Sequence, residues 1–319
     1  MSVPSTGNRR PDRATLLAFT GVVLFGGING LGVRQTVHEL APFWGATLRI
    51  LAAGLIFLLI VFASRRPLPR GRSLAGAVLY GAIGFAASYG FIYQALRELS
   101  AGTTQVLVAL TPLLTFGLAI AHRQERFHIQ GLAGALVALA GIAIVVLDQL
   151  TVDVPVGALV LVFLGTVCIA ETGVIIKWIP KSDPFATNAV AMLTGGAMLL
   201  GLSVATGEAR VLPVETATWL AVGYLVVFGS VVMFGLYLFA LQHWTASAVS
   251  YTTLLLPLVT LTAGAAVAGE RVSPLLVVGG AIVLAGVYVG AFLKIRPARS
   301  SASALPECVP VDAELATGR

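Results

Sequence analysis

Charged residues are scarce in this chain of 319 residues: Asp, Glu, Lys and Arg make up 11% of it, against roughly 25% in soluble domains. Only 2 cysteines are present, Cys168 inside an apolar run and Cys308 in the C-terminal tail, so a disulfide is not expected. The 4 histidines lack metal-ligand spacing, and the sequence has no glycine-rich phosphate loop. Acidic residues do not cluster as a metal-dependent transferase would need. We therefore expect no metal, no cofactor, no ATP-driven transport by this chain alone and no enzyme.

Apolar residues, in contrast, make up 57% of the chain. A helix of about 20 apolar residues crosses the hydrocarbon core of a bilayer. Ten such runs predict an all-α membrane protein with ten transmembrane helices. The runs are 14–33, 42–64, 74–95, 101–121, 130–148, 156–178, 184–206, 214–241, 246–268 and 274–294. Residues 1–13 and 295–319 are rich in Ser, Pro and Arg and are predicted to be disordered cytoplasmic tails.

Basic residues set the predicted orientation, because Lys and Arg are enriched in cytoplasmic loops. With the N-terminus inside, the outer segments contain only Arg34, Arg97, Arg210 and Arg271. Apart from Arg49, which lies within a span, every other Lys and Arg falls in an inner segment. Both termini are therefore predicted to be cytoplasmic, in a multi-pass protein of the cell (inner) membrane. We attribute the formal charge of +6 to this bias and to anionic lipids, and we expect no nucleic-acid binding.

The chain repeats part of itself at an offset of 145 residues, the distance from Pro112 to Pro257. At the same offset Glu125-Arg126 returns as Glu270-Arg271, and a weaker echo links the starts of the second and seventh spans. This offset carries the third span onto the eighth, five crossings later, so the second half is predicted to be inverted. The expected domains are a first repeat at 14–148, a linker at 149–155 and a second repeat at 156–294. Such five-plus-five inverted repeats are typical of carriers with alternating access.

The motifs of each half resemble a known family. Both halves show, in order, Tyr93-Gln94-Ala95-Leu96 or its echo, a small-residue helix start, a proline, Glu125 or its echo, and paired glycines. This ordered set resembles the EamA domain of the drug/metabolite transporter superfamily. The first helix departs from the common Trp-Gly-x-Asn pattern, because it reads Phe25-Gly26-Gly27-Ile28-Asn29. The resemblance implies a ten-helix inner-membrane exporter of small metabolites, amino acids or toxic compounds.

Glu171 lies about two-thirds along the sixth span. A carboxylate at membrane depth costs at least about 2 kcal/mol unless it is protonated, paired or hydrated. Lys177, six positions later, does not share its helix face. We interpret Glu171 as a proton-coupling group or a receptor for an amine. The alternative is a structural carboxylic acid that is hydrogen-bonded to a neighbouring helix.

Two further polar residues lie early in their spans. Arg49 is about 10 Å into the second span, where it could pair with Glu171, bind a substrate carboxylate or extend outward to phosphate and water. We favour a structural or gating role for it. Asn29 lies in a glycine-rich part of the first span, which predicts either a break at a binding site or an interhelical hydrogen bond on a glycine packing face.

Aromatic and hydroxyl residues of the third, fourth and ninth spans complete the candidate site. The two tyrosines of the third span are one turn apart and suit either an organic substrate or the membrane interface. The polar residues of the fourth and ninth spans occupy corresponding positions, although helix packing explains them equally well. These candidates are Tyr89, Tyr93, Gln105, Thr111, Tyr251 and Thr253.

Pro112 and Pro257 are predicted to be gating positions. A proline within a helix leaves the carbonyl four residues earlier without its donor and permits a kink. Because the two prolines are repeat partners, the fourth and ninth helices are expected to act as symmetric gates.

Together these features predict a secondary transporter that exports small metabolites, such as amino acids or amphipathic compounds, by alternating access around a midplane cavity. Proton coupling is one option and an uncoupled facilitator is another. A membrane sensor or assembly protein without transport is the alternative from a different class. The expected partners are a small-molecule substrate, membrane lipids and, in the coupled case, protons. A homodimer is an open option.

Overall fold

All regular secondary structure in the described residues is helical. The structure, a computed structural model, describes residues 11–37, 39–95, 97–98, 104, 107–146, 155–180, 182–268 and 274–292. Gln105 and nearly all of the expected linker and tails lie outside these residues. The main helices are α1 (Arg13–Val37), α2 (Pro42–Ala63), α3 (Arg72–Ala95), α4 (Thr111–Ala121), α5 (Ile129–Val146), α6 (Val156–Trp178), α7 (Pro184–Ala205), α8 (Thr216–His243), α9 (Thr252–Ala268) and α10 (residues 274–292).

Each of these ten helices overlaps one of the ten apolar runs. The fourth run differs most, because α4 begins at Thr111, after a turn at residues 109–110. The ninth run contains a short helix, Ala246–Ser250, before α9. Two helix starts are built alike: α2 and α7 begin with Pro42 and Pro184, since proline at the first helical position already has a suitable φ.

The outer faces of the helices are apolar and exposed. Leu17, Leu59, Phe62 and Leu220 have relative exposures of 74%, 68%, 62% and 71%. Six helices, α1 to α3 and α6 to α8, are long and apolar enough to cross a membrane, and α4, α5, α9 and α10 contain shorter apolar stretches. Exposed apolar surface of this extent fits lipid contact rather than water. The chain is an all-helical membrane protein.

Helices α2 and α7 pack through a reciprocal pair of contacts. A Cβ on Gly54 would lie 3.1 Å from the Leu193 nitrogen, and a Cβ on Gly196 would lie 2.6 Å from Leu51 Cδ2. Because Leu51 faces Gly196 while Gly54 faces Leu193, the two helices are antiparallel. The absence of a side chain at the two glycines lets the helix backbones approach closely.

Helices α5 and α10 form the corresponding pair at the other side of the fold. A Cβ on Gly134 would lie 2.4 Å from Gly290 Cα, and a Cβ on Gly141 would lie 2.8 Å from the Gly279 carbonyl oxygen. A Cβ on Gly286, the repeat partner of Gly141, would lie 2.7 Å from the Gly134 oxygen. The repeated glycines are therefore the places where two antiparallel backbones touch.

The remaining contacts follow the same symmetry. Helix α1 packs on α9 as α6 packs on α4, and α3 packs on α6 as α8 packs on α1. Helices α3 and α8 each contain a π-helical segment, Gly81–Ala87 and Val227–Val232, at corresponding positions of the repeat. π segments are often found at functional sites. Both segments lie beside the space between the two halves.

Candidate functional site

A cavity of about 690 Å³ lies between the two halves of the chain. Its walls come from α1, α2, α3 and the fourth run in the first half and from α6, α8, the short helix Ala246–Ser250 and α9 in the second. This volume is within the range of about 300–1,000 Å³ that is common for small-molecule sites. Of the predicted site residues, the lining includes Asn29, Arg49, Tyr89, Tyr93, Thr111 and Thr253.

One carbonyl in the π segment of α8 positions two of these side chains. The Gly229 oxygen accepts a hydrogen bond from Arg49 Nη2 at 2.8 Å and another from Asn29 Nδ2 at 3.0 Å. Arg49 Nε also donates to Ser230 Oγ at 2.8 Å. A π turn interrupts the regular i to i−4 pattern, and here its carbonyl serves partners from α1 and α2. The segment thus fixes both polar groups at the cavity wall.

Arg49 is buried, with 3% relative exposure, although it lines the cavity. Its guanidinium carbon lies 5.6 Å from the centroid of the Tyr89 ring. Among the described residues no acidic side chain forms an ion pair with Arg49. The pairing with Glu171, one of three options for Arg49 in the sequence, is not formed, because Glu171 contacts His122 instead. The groups that contact the guanidinium are neutral.

Asn29 has one unused group at the wall. Its amide nitrogen contacts the Gly229 oxygen and, at 3.5 Å, Met233 Sδ, whereas its oxygen Oδ1 is buried with no hydrogen-bond partner. The neighbouring Gly27 packs closely on Val259. Helix α1 runs through these glycines without the break that one interpretation expected. The glycines form a packing face with Asn29 as an interhelical hydrogen-bond donor, and Asn29 also lines the cavity.

The tyrosines of α3 form one aromatic wall. The Tyr89 and Tyr93 rings are stacked, with centroids 5.6 Å apart and planes at 22°. Phe85, which is buried behind this wall, lies 6.2 Å from Tyr89, and Phe234 of α8, which lines the cavity, packs edge-on against Phe85 at 4.9 Å. Such a wall offers a flat apolar surface to a substrate beside the Arg49 charge.

The hydroxyls of the fourth and ninth runs donate to carbonyls of the preceding turn, and in the fourth run this carbonyl is the one that Pro112 leaves without a donor. Thr111 Oγ1 donates to the Val108 oxygen at 2.5 Å, which has no donor from Pro112 because proline lacks an N–H. Thr253 Oγ1 donates to the Ser250 oxygen at 2.8 Å. These hydroxyls therefore support the backbone while their side chains line the cavity.

The two prolines occupy different places in their helices. Pro112 lies in the first turn of α4, directly after a break, whereas Pro257 lies inside α9, six residues after the turn at Tyr251. Neither proline is part of the cavity lining. Their gating role stays a prediction.

Glu171 lies away from the cavity lining. Its Oε1 is 3.3 Å from His122 Nε2, at the end of α4, while the next residue, Thr172, does line the cavity. One residue turns a helix by about 100°, which explains why neighbours in the sequence face different surroundings.

The Glu171 contact has a chemical consequence. His122 Nδ1 lies 2.9 Å from the Leu118 carbonyl oxygen, and a carbonyl only accepts, so Nδ1 carries a hydrogen. An attractive contact between Nε2 and Glu171 then requires one more proton, held by either the imidazole or the carboxyl group. The contact between the two side chains depends on this hydrogen.

Tyr251 also lies outside the cavity. Its hydroxyl donates to the Gly131 oxygen at 2.8 Å in a fully buried contact, which joins the start of α9 to α5. The turn that interrupts the ninth run at this residue directs its ring toward α5 and α10, close to Gly290. Its position fits structural support rather than substrate contact.

Several lining residues were not anticipated, among them Tyr80, Ser88, Phe234 and Tyr237. Two signals in the sequence point to them. Tyr80 and Ser88 belong, with Gly84 and Ile92, to a series of lining residues at spacings of four, which keeps one helix face. Phe234 is the repeat partner of Tyr89 at the offset of 145, so the repeat alone places it at the same level of α8.

One end of the cavity, next to Ala246, is crossed by contacts between helix ends. Gln124 Nε2 donates to the Val174 oxygen at 2.8 Å, and Glu125 Oε1 accepts from the Ser247 nitrogen at 3.2 Å. Gln242 Nε2 also donates to the Ser182 oxygen at 3.0 Å. The His122 and Glu171 pair lies at the same end. The Gln124 and Glu125 contacts tie the two halves together there, whereas the Gln242 contact joins two helices of the second half.

The sequence pattern of a single family, described as the EamA-like transporter family, matches the chain twice, at residues 13–147 and 156–291. Among similar proteins, the uncharacterized inner membrane transporter YedA of Escherichia coli K12 is 27% identical over 84% of this chain and 87% of its own length. A WAT1-related chloroplastic protein of Arabidopsis thaliana is 26% identical over 89% of this chain and 72% of its own length.

Two further likenesses are more distant. A protein of Escherichia coli K12 named as a probable amino-acid metabolite efflux pump is 23% identical over 85% of this chain and 92% of its own. A solved structure described only as "Crystal structure of protein" superposes with a TM-score of 0.76 at 20% identity, over 89% of this chain and all of the other. That likeness concerns the fold.

Proposed function

Because the chain belongs to the EamA-like transporter family, we propose that it is a secondary transporter that exports small amphipathic metabolites by alternating access. The family match confirms the resemblance read from the sequence. It also makes the chain a multi-pass membrane protein and a transporter rather than an enzyme. The substrate class, the direction of transport, the coupling and the inner-membrane location belong to the proposal.

The proposed topology is ten transmembrane helices in two inverted halves, with both termini in the cytoplasm. It is supported by the antiparallel pairs α2 with α7 and α5 with α10, whose contacts are reciprocal at repeat-related glycines. It is also supported by the basic residues of the predicted inner loops. Inverted halves allow one half to take the conformation of the other, which opens the cavity to the opposite side.

The single observation that carries the proposal is the cavity between the halves. Residues from both repeats line it, as expected of a carrier whose substrate binds at the repeat interface. In the proposed topology, the contacts beside Ala246 close its cytoplasmic end. Export would begin when the Gln124 and Glu125 contacts between the halves break and the cavity opens to the cytoplasm.

Small amphipathic molecules suit the cavity wall. It combines the stacked Tyr89 and Tyr93 rings with hydroxyl groups such as Thr111 and Thr253. The Escherichia coli relative named as a probable amino-acid metabolite efflux pump supports amino acids as candidates. We accordingly place amino acids and similar amphipathic compounds first in the search for substrates.

Glu171 is the proposed proton-coupling group. It shares a proton site with His122 at the end of the cavity that the contacts close, and His122 is 40% exposed in its side chain, which leaves it open to protons from the cytoplasm. Loss of that proton would weaken the contact between α6 and α4. Proton exchange would thereby be linked to opening.

The test is transport in proteoliposomes, with a panel of amino acids, amines and amphipathic drugs, with and without a pH gradient. Wild type is compared with Glu171→Gln, and Glu215→Gln, an exposed carboxylate at the start of α8, is the matched control. We expect accumulation that needs the gradient, fails in Glu171→Gln and persists in Glu215→Gln. Equilibration without accumulation, unaffected by gradient or mutation, would instead indicate the uncoupled facilitator.

The sensor or assembly protein predicts a different result from the same panel. Such a protein binds compounds or partners without moving them across the membrane. Saturable binding with no flux for any compound would contradict the transport proposal.

A further inference from the structure

Arg49 is a buried charge that faces the central cavity without an acidic partner among the described residues. Arginine carries its positive charge in proteins. A buried charge is costly unless an opposite charge or a full set of hydrogen bonds compensates it. The position therefore favours a negatively charged group in the cavity.

The contacts of Arg49 hold it in place but do not neutralise it. Ser230 and the Gly229 oxygen accept from Nε and Nη2, and the Tyr93 hydroxyl is a third neutral hydrogen-bond partner, which together engage three of the five N–H donors of a guanidinium. The Tyr89 ring, 5.6 Å away, adds a cation–π contact. The planar group is thus oriented in advance, which lowers the ordering cost of binding an anion.

The rest of the lining argues against a cation as the preferred ligand. The described lining residues include neither Asp nor Glu, and Glu171 is turned toward His122. A positively charged substrate would meet the Arg49 charge with no carboxylate to offset it. The second half has no arginine at the position that corresponds to Arg49, because the repeat that relates α2 to α7 places Ala191 there.

We propose that Arg49 binds a carboxylate of the substrate, so that the cavity selects small organic carboxylates with an apolar or aromatic body. The guanidinium donates hydrogen bonds to the carboxylate, and the stacked Tyr89 and Tyr93 rings pack against the apolar body. This inference rests on the proposed function, because it names the substrate class of the same cavity. It makes Arg49 a binding residue, in place of the structural or gating role favoured from the sequence alone.

The experiment is equilibrium dialysis of labelled probes against the purified full chain in detergent. Three matched sets are used: phenylacetate, indole-3-acetate and 4-methylpentanoate, each with its amide and its corresponding amine. Size and apolar surface are nearly constant within a set, so only the charge differs. We expect at least one carboxylate to bind about tenfold or more tightly than its amide, since charge-assisted hydrogen bonds are about twice as strong as neutral ones, and its amine to bind more weakly than the amide.

Variants then assign the preference to Arg49. Arg49→Gln should remove the preference for the carboxylate over the amide, and Arg49→Lys, which keeps the charge but not the fork, should retain part of it. Arg70→Gln, an exposed arginine in the loop between α2 and α3, should leave it unchanged. The wild-type comparison stands by itself if Arg49→Gln does not fold.

Three outcomes would overturn the inference: amides or amines that bind as tightly as the carboxylates in every set, no binding of any carboxylate up to about millimolar concentration, or a preference that survives in folded Arg49→Gln. The result is separate from the transport assay. Selective binding of carboxylates without flux would contradict the proposed transport but support the carboxylate site. Flux of amines alone would contradict the carboxylate site but support the proposed transport.

Discussion

A single methyl group at Gly134 tests the close contact of α5 with α10. In Gly134→Ala the new Cβ would lie 2.4 Å from both the Cα and the nitrogen of Gly290, and 2.7 Å from the Gly286 oxygen. All three atoms belong to the backbone of α10, so no side chain can rotate away. Ordinary contact begins at 3.4 Å, which means that the helices must separate by about 1 Å, enough to lose a quarter to a half of the local dispersion attraction.

Overpacking is expected to lower the free energy of unfolding by about 1–3 kcal/mol. This loss is partly offset by about 0.5–1 kcal/mol, which alanine gains over glycine inside a helix. Gly117→Ala in α4 is the matched control, because nothing lies within 4 Å of a Cβ there. It makes the same chemical change without the clash and should be neutral or slightly stabilising. The two variants are therefore expected to differ in sign.

The assay is thermal unfolding of both variants in the same detergent at one scan rate, since unfolding of membrane proteins is often irreversible. With a shift of roughly 2–4 °C per kcal/mol, Gly134→Ala should lower the midpoint by a few degrees and Gly117→Ala should not. A midpoint of Gly134→Ala equal to or above that of Gly117→Ala would refute the close packing of α5 on α10.

Two other predictions concern stability. Tyr251→Phe removes the buried hydrogen bond to the Gly131 oxygen and should lower the free energy of unfolding by about 1–2 kcal/mol, which is measured as a lower midpoint of thermal unfolding. Tyr288→Phe is the control, because Tyr288 is 60% exposed and its change should have little effect. Equal midpoints in the two variants would contradict the structural role of Tyr251. In the loop before α2, the backbone N–H of Val214 donates to Glu39 and is the main cause that lowers the pKa of this carboxyl. The stabilisation by the ionised Glu39 carboxylate is therefore complete above the ordinary pKa of glutamate, about 4.3, and is lost as the pH falls through the lower pKa of the folded state. Glutamine does not ionise in this range. The midpoint of thermal unfolding should therefore fall less on acidification in Glu39→Gln than in wild type.

The helices were predictable because the membrane leaves a one-dimensional signal. A span needs about 20 consecutive apolar residues, and the runs at 42–64, 156–178 and 184–206 match α2, α6 and α7 to within one residue. The fourth run was less accurate, because hydropathy does not register a turn before Pro112. A run of apolar residues indicates that the segment lies in lipid, but it does not indicate the local backbone conformation.

The candidate site was predictable only in part. Tyr89, Tyr93 and Arg49 were selected as polar or aromatic groups at membrane depth, and all three line the cavity. Glu171 was selected for the same reason, yet it faces His122. Depth in the membrane follows from the residue number, whereas the direction of a side chain depends on how its helix is rotated against its neighbours.

By itself, then, the sequence determined the lipid solvent, the helical segments and the two related halves, because hydropathy and repetition are properties of residue order. Only the tertiary structure decided which groups meet. Arg49 and Asn29 converge on the Gly229 carbonyl across separations of 180 and 200 residues, and no local pattern marks that carbonyl as their partner. The cause is the π segment of α8, whose backbone geometry and position arise from helix packing, and this packing creates a charged wall in the cavity.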